Sequence, residues 1–191
     1  MKVILINGSS REKECTYTAL QECATILTEE GIQTQLINVG TSSVVNDAGF
    51  ISSVATLIEN ADGIIVGSPV YYAAPNGMLS LFLTNLFAHI DKSKLIMMPA
   101  AAVTSARRAG TVSALDQMNK FFSFHQMPIV SSSYWPMLHG NSAEEAKKDF
   151  EGLQIMRVLA RNMAYMIKSF TLAKLEIPAQ EKRIRTNFIS D

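Results

Sequence analysis

The apolar positions along this chain change period again and again, and each change marks an element. Val3-Ile4-Leu5-Ile6 is an unbroken apolar run closed by Asn7-Gly8, the pattern of a strand buried on both faces. Over residues 16–30 the spacing turns helical, with Leu20, Cys23, Ala24 and Leu27 on one side and Gly31 as the left-handed stop. Residues 34–39 predict a second strand. Ile51, Val54, Leu57 and Ile58 predict a second helix ending near Asn60-Ala61-Asp62, and Gly63-Ile64-Ile65-Val66-Gly67 a third strand. Asn76-Gly77 opens a helix that runs through Leu79, Phe82, Leu83 and Leu86, after which 95–103 reads as a fourth strand. Leu115, Met118, Phe121 and Phe122 mark a further helix, Met127-Pro128-Ile129-Val130 a fifth strand, and 143–168 the last helix.

Strands that alternate with helices predict an α/β fold. Parallel crossovers need about a dozen residues and normally use a helix, so the sheet is parallel and covered on both faces. Five strands in the order 2-1-3-4-5 make a three-layer α/β/α architecture whose switch point lies between strands 1 and 3. Ligands bind there, at the carboxyl ends of the strands, which directs attention to residues 8–16 and 68–77. One domain over 1–169 accounts for the core. Residues 170–191, with Pro178 and the cluster Glu181-Lys182-Arg183, form a C-terminal arm, mobile or wrapped on a partner. The last helix carries a long stripe of Leu153, Met156, Leu159, Ala160, Met163, Met166 and Ile167, more than one sheet face usually covers, which predicts packing on a second subunit.

Composition narrows the classes. Across 191 residues the chain is 48% hydrophobic and 18% charged, which suits a folded domain rather than a disordered one. Seventeen basic and 17 acidic residues cancel, so there is no general footprint for nucleic acid or an anionic membrane, and an anionic ligand must be held locally. No run reaches the roughly 18 apolar residues of a membrane span. The short apolar start lacks the features of a signal peptide and predicts a cytoplasmic protein. Two cysteines, Cys15 and Cys23, are too few for a disulfide framework or a four-thiolate cluster. No metal-ligand spacing and no Gly-x-Ser-x-Gly elbow is present, so metal ligands and a protein nucleophile are not expected.

The loop Gly8-Ser9-Ser10-Arg11-Glu12-Lys13-Glu14-Cys15-Thr16 follows a buried strand and leads into a helix. Hydroxyls, a guanidinium and the free N–H groups of a helix start converge there, as a phosphate requires. The glycines of the dinucleotide fingerprint and of the nucleotide-triphosphate loop are missing. The same residues also suit a plain polar turn with an N-cap at Cys15 or Thr16. The second loop, Gly67-Ser68-Pro69-Val70-Tyr71-Tyr72-Ala73-Ala74-Pro75-Asn76-Gly77, offers paired tyrosines and small residues, either as a platform for a flat heterocycle or as half-buried packing. Arg107-Arg108 is the one basic pair beside the expected cleft, a handle for phosphates or a solvated turn. His125 and His139 suit proton donation to a reduced acceptor or, equally, structural roles.

These loops, in order, resemble the NAD(P)H-dependent FMN reductase family of flavodoxin-like proteins, in the branch related to the iron-sulfur flavoproteins. The resemblance extends to about residue 168 through Ser105-Ala106-Arg107-Arg108-Ala109-Gly110-Thr111, Tyr134-Trp135, His139-Gly140-Asn141 and Glu151-Gly152-Leu153. It implies that Ser9, Arg11 and Thr16 hold the FMN phosphate, with Cys15 in the same loop. Pro69, Val70, Tyr71 and Tyr72 would contact the isoalloxazine ring, and Ser105, Ala106, Arg107 and Gly110 would close its far side. It also implies NADPH or NADH as electron donor, a quinone, flavin or other small molecule as acceptor, and a homodimer or homotetramer. Redox chemistry would then rest on the cofactor, with no catalytic side chain required. The sequence departs from the iron-sulfur relatives at 39–47, which hold no cysteine, and at Cys15 and Thr84-Asn85. Two rival functions stay open, an FMN electron-transfer protein without NAD(P)H oxidase activity and a flavodoxin-like interaction or sensor protein. At a helix N-terminus the Cys15 thiol is expected to tend toward thiolate.

Overall fold

The computed structural model describes residues 1–182, 184 and 186. Strands β1 (Lys2–Asn7), β2 (Gln33–Asn38), β3 (Gly63–Tyr71), β4 (Ala74–Pro75), β5 (Ala100–Ala106) and β6 (Met137–His139) form the sheet. Its order is β2-β1-β3-β5-β6, all parallel, with β4 paired antiparallel to β3. The parallel path therefore matches the order expected from the alternation and is flavodoxin-like. Helices α1 (Cys15–Glu29) and α6 (Phe150–Ala173) cover one face. On the other lie α2 (Ala48–Glu59), α3 (Gly77–His89) and α4 (Thr111–Phe124).

Alternate residues of each central strand feed opposite cores, as the pleat demands. Ile4, Ile6, Ile64 and Val66 join the layer under α2, α3 and α4, whereas Val3, Leu5 and Ile65 join the layer under α1 and α6. All seven are fully buried, so these strands read as unbroken apolar runs.

Four features differ from the expectations. First, Leu95 to Met98 does not begin the fourth parallel strand. Leu95 and Met98 are buried in a turn, Met97 takes a φ of +64°, and β5 starts only after Pro99. Second, the fifth parallel strand is not 127–130. That segment makes a single bridge, Ile129 to Ala100, and the chain returns to the sheet as β6.

Third, the last helix is split into a short α5 (Ala143–Ala146) and α6, because the Asp149 carboxylate accepts from Gly152 N at 2.9 Å and starts a new helix. The helix also runs on through Ala173, beyond the expected end at 168. Fourth, the stripe on α6 turns inward. Met156, Leu159, Ala160, Met163 and Ile167 are buried against α1 and the sheet, and Leu153 and Met166 are half-buried, so little of the stripe is left to pack on a second subunit. Of the Glu181-Lys182-Arg183 cluster, Arg183 lies outside the described residues.

Candidate functional site

The carboxyl ends of β1, β3 and β5 bring three segments together, and polar side chains buried between them fix the geometry. Asn7, fully buried at the end of β1, accepts from Ser9 N through Oδ1 at 3.1 Å and donates from Nδ2 to Glu12 O at 3.0 Å. Asn76, the N-cap of α3, donates to Gly8 O at 2.8 Å while its own N–H donates to Ser68 Oγ at 2.9 Å. The first loop is thus tied to both β1 and the β3–α3 connection. Behind it runs the backbone of Gly40: a Cβ there would stand 2.2 Å from the Ser9 carbonyl group. The loop motifs do not single out Asn7, Gly40 and Asn76 as site residues. A buried strand ending in asparagine carries a signal, since a buried amide must find partners, but the approach of Gly40 depends on tertiary structure.

Within this frame Ser9 and Thr16 are buried and Arg11 is exposed. Ser9 Oγ accepts from Arg11 N at 3.1 Å, which leaves its hydroxyl proton to donate. Thr16 Oγ1 and Ser105 Oγ lie 2.7 Å apart; that bond uses one of their two protons and leaves the other for a ligand. Ser105 therefore stands beside Thr16 at the start of α1. No side chain caps α1, so its first-turn N–H groups also remain for a ligand. Arg11 makes no ion pair among the described residues. Uncapped amides, two available hydroxyl protons and an unengaged guanidinium fit a phosphate dianion.

Cys15 behaves differently from the expectation. Its Sγ donates to Gly140 O and Ser142 O, both at 3.3 Å, so the side chain joins the loop after β6 and offers no donor to the phosphate loop. Burial, and then the neighbouring Glu14 carboxylate, push its pKa up, and the thiol stays protonated where the helix start alone predicts thiolate character. Cys23 is raised more strongly by complete burial.

The second segment is largely strand. β3 continues through Pro69, whose register partner on β5 is Ser105, and Val70 pairs with Pro75 across the β3–β4 hairpin. At its tip Tyr72 and Ala73 both have positive φ, 52° and 59°, which is the geometry of a primed two-residue turn without the usual Asn-Gly. Tyr71 is 41% exposed and Tyr72 wholly so. In the third segment Ala106 ends β5, Arg107 is exposed, and Gly110 caps α4 at a φ of 92°. A Cβ on Gly110 would stand 2.9 Å from Ala73 Cα and 3.0 Å from Val70 Cγ1, so this glycine lets the second and third segments touch. The twelve residues expected at the site thus lie on three segments that contact one another, a ledge at the carboxyl ends of β1, β3 and β5, with the Cys15 side chain bonded instead to the loop after β6. A hollow of about 470 Å³ near Asp62, Pro99, Phe170 and Pro178 opens at the opposite end of the strands.

Positive φ strains a bulky residue by about 1 to 3 kcal/mol, and Tyr72 gives up no buried area when replaced. Tyr72→Asn is therefore expected to stabilise the fold by about 1 kcal/mol, raising Tm by roughly 2–4 °C, as differential scanning fluorimetry would register. A Tm at or below that of the wild type would refute the strain.

His125 stacks on Phe87 with ring centroids 4.8 Å apart and bonds Phe121 O through Nδ1, at the end of α4 away from the ledge. His139 lies at the ledge itself, with Nε2 3.1 Å from Arg108 O. Among the described residues no cluster of three or more His, Cys, Asp or Glu is placed to hold a metal ion, and no helix is long and apolar enough to cross a membrane.

Known proteins share sequence and fold with this chain. The profile of a family described as NADPH-dependent FMN reductase matches residues 1–142. An iron-sulfur flavoprotein of Methanocaldococcus jannaschii is 26% identical over 88% of this chain and 98% of its own length. A crystal structure of RosB with bound 8-demethyl-8-formylriboflavin-5'-phosphate superposes with a TM-score of 0.72 at 14% identity, over 100% of this chain and 92% of that one. FerB, an NAD(P)H:(acceptor) oxidoreductase of Paracoccus denitrificans, superposes with a TM-score of 0.66 at 16% identity, over 88% of this chain and 97% of its own.

Proposed function

The chain belongs to the NADPH-dependent FMN reductase family, and from that premise we propose that it is an FMN-dependent oxidoreductase passing electrons from NADPH or NADH to a quinone, a flavin or another small acceptor. When bound, FMN would supply the redox chemistry, namely hydride acceptance from the nicotinamide and electron delivery to the acceptor. The protein's residues bind and orient.

The observation that carries this proposal is the convergence of unspent donors at the start of α1. Ser9 and Thr16 each direct a hydroxyl to the phosphate, Ser105 orients Thr16, and Arg11 neutralises charge from the exposed side. The amides of Cys15 and Thr16 complete the shell, a role for Cys15 that needs its backbone alone. Pro69, Val70, Tyr71 and Tyr72 would form the apolar rim beside the flavin ring, and Ala106 and Gly110 would shape the far side. Arg107 and Arg108 face solvent beyond the rim, where the phosphates of the dinucleotide donor would meet them. Since donor and acceptor use one ledge, they bind in turn.

Purified protein is expected to show a flavin absorption band that bleaches on anaerobic addition of NADPH or NADH and returns on addition of a quinone. A flavin band that neither nucleotide bleaches would indicate an electron-transfer protein. Failure to retain or take up FMN would overturn the assignment.

A further inference from the structure

The loop that carries the arginine pair has few supports. Arg107, Arg108 and Ala109 are all exposed. At one end the Ala106 carbonyl accepts from Gly140 N at 3.1 Å; at the other Gly110 packs on Ala73 and Val70. Between these ends, among the described residues, one side chain hydrogen-bonds the loop backbone: His139, whose Nε2 is 3.1 Å from Arg108 O. A carbonyl oxygen only accepts, so Nε2 is the protonated nitrogen in this contact.

The imidazole is itself held. His139 N donates to Asp149 Oδ2 at 2.7 Å, and the same oxygen lies 3.6 Å from Nδ1. Asp149 Oδ1 is bound to Gly152 N at the start of α6. A chain of contacts therefore runs from the first turn of α6, through Asp149 and His139, to the carbonyl that follows the second of two exposed arginines.

We propose that His139 is a positioning residue that sets the Arg107–Arg108 loop for the phosphates of the dinucleotide donor. This rests on the proposal that those arginines meet that donor. His139 does not touch the dinucleotide. Its bond to Arg108 O restricts a loop that would otherwise sample many conformations, so the ordering cost is met before the ligand arrives. Because Nε2 is committed to Arg108, this nitrogen is not the acceptor's proton donor in the arrangement observed.

The test uses FMN-loaded protein and two readouts besides turnover: NADP⁺ binding by calorimetry and the rate of tryptic cleavage after Arg107 and Arg108. A neutral hydrogen bond corresponds to about a 3- to 10-fold change in affinity. His139→Ala is expected to weaken NADP⁺ by that factor and to hasten cleavage, with FMN affinity within about twofold of wild type. His139→Gln carries an amide nitrogen at the ε position and should restore both readouts. Adding His139→Ala to Arg107→Ala/Arg108→Ala should bring no further loss of NADP⁺ affinity, since the histidine acts only through the arginines.

Unchanged cleavage and affinity in His139→Ala, failure of glutamine to rescue, or an equal loss of FMN would overturn the positioning role. If the double arginine variant binds NADP⁺ as tightly as wild type, the placement of the dinucleotide fails instead. Cleavage would still report whether His139 anchors the loop.

Discussion

Gly40→Ala is expected to weaken FMN binding by more than about 100-fold. The added Cβ would stand 2.2 Å from Ser9 C and O and 2.5 Å from Ser10 N, all backbone atoms that cannot swing aside as a flexible side chain would. The phosphate loop must therefore move. It is pinned by Asn7 and Asn76 through bonds of 2.8 to 3.1 Å, so movement breaks them or is resisted. Losing two charge-assisted bonds to the phosphate, at about 1.5 to 3 kcal/mol each, accounts for the affinity change. Overpacking adds a stability loss of about 1–3 kcal/mol. Gly77→Ala is the matched control. It lies next to Asn76, yet its Cβ would meet nothing within 4 Å, so it should keep FMN affinity within about twofold and leave Tm unchanged or slightly raised. Flavin titration and thermal melts of both variants provide the check. Retention of wild-type FMN affinity by Gly40→Ala would mean that the loop does not depend on this contact.

What can be read from the sequence divides along a physical line. β1 and the core of β3 are legible because both faces of these strands are buried, and an unbroken apolar run between turn residues is the mark of such burial. Leu95-Ile96-Met97-Met98 imitates such a run, but its burial comes from a turn whose positive φ at Met97 no periodicity reveals. At the sheet edge, β6 is only three residues long and pairs on one side, too little for a pattern. The stripe on α6 is plain in the sequence, but its destination is not. A helix of 24 residues packed on both α1 and the sheet buries most of it within one chain.

At the site, local chemistry is readable and orientation is not. The hydroxyls and the helix start announce an anion site, and their arrangement suits one. Cys15 shares that loop, but the direction of its Sγ is set by carbonyls of Gly140 and Ser142, some 125 residues further along the chain. Contacts of that separation leave no local trace. Likewise Ser105 is expected on the far side of the flavin, whereas its Oγ lies 2.7 Å from Thr16 Oγ1, a contact between β5 and α1.

Arg11→Ala is expected to weaken FMN by about one to two orders of magnitude while leaving riboflavin unaffected. Arg11 is exposed and makes no ion pair among the described residues, so its guanidinium is not spent on the fold. Its backbone N–H, which bonds Ser9 Oγ at 3.1 Å, survives the substitution and keeps the loop in shape. The variant thus removes charge and leaves geometry, unlike Gly40→Ala. A charge-assisted hydrogen bond contributes about 1.5 to 3 kcal/mol, or roughly 10- to 150-fold in affinity. Exposure places this one within reach of salt: at 0.15 M the screening length is about 8 Å. The advantage of wild type over Arg11→Ala should therefore shrink as ionic strength rises, whereas the bonds from buried Ser9 and Thr16 should hardly respond. Riboflavin lacks the phosphate and tests the ring site alone. Titrations of both proteins with both flavins, followed by quenching of flavin fluorescence at two salt concentrations, separate these terms. An Arg11→Ala variant that binds FMN as tightly as wild type, or that loses riboflavin in the same proportion, would move the phosphate away from the start of α1 and take the proposed orientation of the flavin with it.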